Sequence, residues 1–88
     1  MQILTGSTTG TISWKTDEPS TSRVFYSKDT PVDVNANSTL SVNNDSLVTN
    51  HSLNVSSLAP STIYHFVIKS ADASNNTAVS SEYSFITN

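Results

Sequence analysis

The stretch LNVSSLAPSTIYHFVIKSAD, residues 53–72, decides the fold. Leu53 and Val55 alternate with Asn54 and Ser56, the two-residue period of a half-buried strand. Leu58-Ala59-Pro60-Ser61-Thr62 breaks that alternation, and Pro60 has no backbone N–H to give a ladder, so a corner follows. The period then returns: Tyr64, Phe66 and Ile68 take one face, and His65, Val67 and Lys69 take the other. A strand, a tight corner and a second strand imply a sheet that turns over onto a core.

Working outward toward the N-terminus, Thr11 to Thr16 reads as a strand with Ile12 and Trp14 inward. Asp17 to Thr21 reads as a loop, because Pro19 is excluded from a sheet interior. Ser22 to Lys28 is the next strand, with Val24 and Tyr26 on one face and Arg23 and Phe25 on the other. Gln2 to Thr5 is a short first strand, followed by a turn containing Gly6 and Gly10. Between Asp29 and Asn50 no motif fixes the layout. Pro31 and the Asn35-Ala36-Asn37 run mark a loop, Leu40 and Val42 a short strand, and Asn43-Asn44-Asp45 a turn. Toward the C-terminus, Asp72 to Asn76 is a hairpin loop in which Asn75 tolerates positive φ. Val79 to Thr87 is the last strand, with Val79, Tyr83 and Phe85 sharing parity. No window holds a 3.6-residue period. About seven short strands separated by turn signals indicate a single all-β domain over residues 1–88, an antiparallel sandwich and not a parallel α/β fold.

Composition agrees. The chain has 17 Ser, 12 Thr and 9 Asn among 88 residues, a makeup suited to pleated surfaces and corners. Its net charge is −3, and its four cations, Lys15, Arg23, Lys28 and Lys69, are scattered. Nucleic acid needs a cationic stripe to neutralise phosphates, and an anionic membrane surface makes a similar demand. Neither partner is expected. Nor is membrane insertion by a helix, since no apolar run approaches the length that spans a bilayer. There is no Cys, so neither a disulfide framework nor a thiolate metal site is available. No leader is evident and a strand begins almost at once, so the chain reads as a module of a longer protein. Low charge with abundant Ser, Thr and Asn points to an extracellular or cell-surface setting.

The corner Leu58-Ala59-Pro60-Ser61-Thr62-Ile63-Tyr64 resembles the Leu-x-Pro-x-Thr-x-Tyr corner of fibronectin type III domains. Trp14, in Ile-Ser-Trp-Lys-Thr, stands on the second strand, where that family keeps its buried Trp. Residues 16–26, TDEPSTSRVFY, and the ending from Ser70 to Thr87 are similar to prokaryotic and phosphatase-linked members. The resemblance covers the chain from Thr11 onward. It implies an immunoglobulin-like, seven-stranded antiparallel β-sandwich with strands A-B-E facing C′-C-F-G and termini at opposite ends. It also implies a core of Ile12, Trp14, Val24, Tyr26, Leu53, Val55, Leu58, Tyr64, Phe66, Ile68 and Phe85. Trp14, Leu58, Pro60 and Tyr64 would be its structural markers, with the Tyr64 hydroxyl turned back onto the corner. On that reading Trp14→Ala costs about 3–5 kcal/mol.

Candidate chemistry is sparse. His51 and His65 are the only side chains that titrate near neutrality, and neither stands in a nucleophile–base–orienter pattern. Asp17-Glu18 and Asp29/Asp33 are loop oxygens without calcium-loop spacing. Five Asn-x-Ser/Thr sequons, at Asn37, Asn44, Asn50, Asn54 and Asn75, matter only in a glycosylating host. No enzyme activity, cofactor or metal is expected. Phe25 and Val67 face outward by alternation on neighbouring strands of the implied topology. With His65 and Lys69 they form a candidate binding face for a protein or carbohydrate ligand. The leading expectation is a non-catalytic spacer or docking module, placed beside neighbouring domains of its parent, with the role of accessory to a hydrolase as one form of it.

Overall fold

The apolar–polar alternation runs further than the turn residues suggest. The computed structural model describes residues 1–28, 30–33 and 39–88; Asp29, the Asn35-Ala36-Asn37 run and the Asn37 sequon lie outside them. Six strands carry the described fold: β1 (Gln2–Thr5), β2 (Gly10–Ser27), β3 (Leu40–Val55), β4 (Ile63–Ala71), β5 (Thr77–Val79) and β6 (Tyr83–Ile86). All pairings are antiparallel, and no described residue is helical. β1 pairs with β2, β2 with both β3 and β4, and β4 with β5 and β6.

Among the described residues the expected seven short strands are six, two of them long. Asp17 to Thr21 is strand and not loop, and Asn43-Asn44-Asp45 lies within β3 and is not a hairpin turn. The ladder explains how Pro19 is accommodated. Lys15 pairs with Asn50, and the next pair is Ser20 with Val48, so β2 advances five residues while β3 advances two. Pro19 sits in that irregularity, where no partner requires its missing N–H. Two residues later the excess reverses: Ser20 to Ser22 faces Val48 to Asn44. Side chains take over backbone bonding there, with the Ser46 N–H donating to Asn44 Oδ1 at 2.9 Å and Asn43 Nδ2 to Asp45 Oδ1 at 3.1 Å.

Length requires these irregularities to bend the hairpin. At about 3.3 Å per residue an extended β2 would span about 60 Å. The whole molecule is 39 Å in its longest dimension. β2 and β3 fold over together, so that Gly10–Lys15 with His51–Val55 forms one layer, and Ser20–Ser27 with β4 forms the other. Between them lies one cluster: Ile12, Leu53 and Val55 from the first layer, Val24, Tyr26, Tyr64, Phe66, Ile68 and Phe85 from the second, and Leu58 from the corner. Gly10 lies tight against the seam, since a Cβ there would be 3.3 Å from Val55 Cγ2 and 3.4 Å from the Phe85 ring.

Ten of the eleven expected core residues form this cluster. Trp14 departs from it: partly buried, it packs against the margin. Its neighbour is polar, because the indole stacks on His51 with centroids 4.9 Å apart and planes 4° from parallel. Its substitution by Ala belongs below the 3–5 kcal/mol that full burial implied.

The corner matches its reading. The Ala59 N–H donates to the Tyr64 hydroxyl at 2.8 Å, and Thr87 Oγ1 donates to the Ala59 carbonyl at 2.6 Å while accepting from the Thr62 N–H at 2.9 Å. Pro60 is exposed at its tip. Ser57 and Ser61 supply positive φ of 60° and 51°. The last strand is interrupted. Ile68 exchanges backbone and side-chain bonds with Ser80, after which a one-residue shift moves the register from Lys69↔Val79 to Phe66↔Tyr83. Val79 is thereby turned away from the face that Tyr83 and Phe85 share, and it is exposed. Asn88 bonds to Gly6 and Thr5 at the close of β1, about 13 Å of strand from Gln2.

Candidate functional site

The outer face expected to bind is closed where it was expected to be open. Phe25 and Val67 are direct cross-strand partners, flanked by Ser27↔His65 and Arg23↔Lys69. Both are buried, at 8% and 7% exposure. The alternation placed them on the right face, but it could not show what covers them. The Arg23 guanidinium lies over the Phe25 ring at 4.8 Å, a cation–π contact that screens the apolar surface. Lys69 and His65 are half-buried at the margin. His65 Nδ1 lies 3.6 Å from Glu82 Oε2. That carboxylate also accepts from Thr30 Oγ1 at 2.6 Å and from the Val32 N–H at 2.5 Å. The hydrogen bonds from Thr30 and Val32, with a smaller contribution from His65, hold the Glu82 carboxyl below its ordinary pKa. The sequence reading did not pick out Glu82, and nothing in its local pattern marks it.

The most concentrated polar chemistry lies inside. His51, 2% exposed, projects from β3 into the bend of β2. Its Nδ1 is 2.6 Å from Ser22 Oγ, and its Nε2 is 2.9 Å from Thr16 Oγ1 and 3.4 Å from Ser20 Oγ. Thr16 Oγ1 donates to the Glu18 carbonyl at 2.8 Å, which leaves the Thr16 oxygen free to accept. With Nε2 carrying the hydrogen and Nδ1 accepting from Ser22, a neutral imidazole satisfies both nitrogens. Burial lowers the His51 pKa, and no carboxylate is bonded to the ring. This is a structural clasp. His51 also lines the neighbouring cleft, and Thr16, Ser20 and Ser22 hold its ring in place.

The inward parity of His51 was legible, whereas its partners were missed. The missed signal is simple: Thr16, Ser20 and Ser22 share even parity with Ile12, Trp14, Val24 and Tyr26. Reading Pro19 as a break hid that continuity. Beside the clasp, Trp14, Ile68 and Tyr83 wall an open cleft of about 620 Å³ rimmed by Lys15 and Asn50. Trp14 Nε1 and Ser70 Oγ are buried without a hydrogen-bond partner among the described residues.

Asp72 Oδ1 accepts from the Ser74 and Asn76 N–H groups at 2.9 Å each, capping its own hairpin, and Asn75 takes φ 66°. Those bonds, led by Asn76, hold the Asp72 carboxyl below its usual range. Among the described residues, no three His, Cys, Asp or Glu side chains converge to hold a metal ion.

Comparison with known proteins bears on this arrangement. Residues 2–87 match the family model described as "Purple acid Phosphatase, N-terminal domain". The chain belongs to that family, a non-catalytic accessory domain of a hydrolase. No curated protein matches it.

Proposed function

We propose that the chain is a fibronectin type III-like module that positions a neighbouring hydrolase domain and takes no part in its chemistry. The family match over residues 2–87 carries this reading. The strand pairing supports the finer assignment. β2 corresponds to strands B and C run together, β3 to C′ and E run together, β4 to F, and β5 with β6 to an interrupted G. The interior supports the non-catalytic role. The buried histidine is spent on hydroxyl groups of its own chain, and the half-buried one faces a carboxylate already held by Thr30 and Val32. Its partners are then neighbouring domains of its parent, in an extracellular or cell-surface setting suggested by the low charge and the Ser, Thr and Asn content. Ligand binding through Phe25 and Val67 has less support, because both are covered.

Deletion of this domain from the full chain that carries it tests the reading. The expected kcat/KM on a small soluble phosphomonoester stays within about threefold, while thermal inactivation becomes faster. A loss of about a hundredfold or more at unchanged fold would place catalytic machinery here and overturn it.

A further inference from the structure

The edges of this sheet are protected unequally. β1, β5 and β6 are short, at four, three and four residues. β3 has 16 residues and, among the described residues, pairs only with β2. An edge of that length presents a row of backbone donors and acceptors that only another extended chain complements. Proteins usually blunt such an edge with Lys, Pro or a bulge. β3 has a bulge near Asn44, but beyond it Asn50–Val55 pairs with β2 in unbroken register. That segment contains no Pro, no Lys and no Arg, and the only carboxylate in β3 is Asp45.

We propose that the Asn50–Val55 edge of β3 is a self-association surface, on which two copies of the chain join antiparallel about a twofold axis. The edge is self-complementary. A twofold centred on Ser52 sets Ser52 opposite Ser52 and Asn50 opposite Asn54 on the outer face, where all three are exposed. Amides and hydroxyls bond well to their own kind across a ladder. The same axis sets His51 opposite Leu53 on the inner face, extending each core toward the other. Charge within the paired segment does not oppose the pairing, since Asn50–Val55 carries no carboxylate and Asp45 lies at the irregularity beyond Val48. A second copy fits better than a foreign strand because the exposed face of this edge, Asn50, Ser52 and Asn54, carries no charged or large apolar group that would select one. The inference is independent of the accessory role.

Light scattering on the purified chain from about 1 µM to about 1 mM tests it. The expected mass rises with concentration from one chain toward two. The paired substitution Ser52→Lys with Asn54→Lys, at exposed positions, should weaken dimerisation at least about tenfold by setting four ammonium groups together. Its circular dichroism and melting temperature confirm that it folds. Amide exchange in the unmodified chain is the second measurement, and alternate amides of Asn50–Val55 should slow as the chain is concentrated. A mass that stays monomeric throughout overturns the proposal. So does a dimer indifferent to the lysines whose Asn50–Val55 amides stay unprotected, or one dissolved instead by Phe25→Ser. Capture of a foreign peptide strand by a chain that remains monomeric also overturns it.

Discussion

Two of the bends at which the chain crosses from one layer to the other are built from different chemistry. At the corner, Ser57 to Tyr64, local residues do the work. Pro60 ends the ladder, two Ser residues take positive φ, and the Tyr64 hydroxyl returns to the Ala59 N–H. At the crossover of β2, Thr16 to Ser22, the backbone stays extended and the turn comes from mismatched register with β3. It is held by a side chain from 29 or more residues away: His51 gathers Thr16, Ser20 and Ser22. A bend specified locally shows itself in a short motif, whereas a bend specified by long-range pairing leaves only a parity pattern.

The comparison is sharpest where burial is greatest. Leu58 anchors the corner at 4% exposure. Leu58→Ala should cost about 2–5 kcal/mol in urea unfolding, the range for a core leucine. A cost under about 1 kcal/mol would mean that the corner holds without its core anchor.

At the crossover, His51→Leu keeps an apolar filling but removes the imidazole shared by Thr16, Ser20 and Ser22, leaving Thr16 and Ser20 bonded to each other and Thr16 to the Glu18 carbonyl. The expected loss is about 1–3 kcal/mol. A variant as stable as the parent would show that the clasp is ornamental and that register alone makes the bend. Tyr64→Phe is the gentler probe of the corner. It leaves the half-buried Ala59 N–H unpaired, and a loss of about 1 kcal/mol is expected.

Acid should separate the two bends further. Burial lowers the His51 pKa, so between the unfolded value of about 6.5 and the lower folded value only the unfolded chain binds a proton. The clasp's contribution is therefore complete above about pH 6.5 and declines as pH falls through that window. His51→Leu should remove this part of the slope, while Tyr64→Phe should retain it. Urea titrations from about pH 7.5 to about pH 5 check the sign. A slope unchanged in His51→Leu would assign it to other groups.

What the sequence disclosed follows the same division. Ten core residues were legible because each sits on an unbroken alternation whose phase the corner sets. Trp14 was placed on the correct face, but its depth was misread, because its stacking partner His51 belongs to a strand whose register no local residue announces. The exposure expected for Phe25 and Val67 failed for a related reason. Alternation gives the face, whereas the cover of Phe25 depends on how Arg23 lies across the sheet. Pro19 misled most. In isolation it argues against a sheet interior, yet here it occupies a stretch that the partner strand skips. Val79 shows the opposite case: its parity agrees with Tyr83, but the irregularity at Ser80 cancels it.

The central claim is that this domain accompanies chemistry without performing it, its buried histidine being a clasp. The most direct test incubates the purified chain with a chromogenic phosphomonoester, with and without added transition-metal ions, across acid and neutral pH. The account predicts hydrolysis indistinguishable from a control without protein, by a chain that still unfolds cooperatively. Saturable turnover that is abolished by His51→Leu or by a His65 substitution would contradict it.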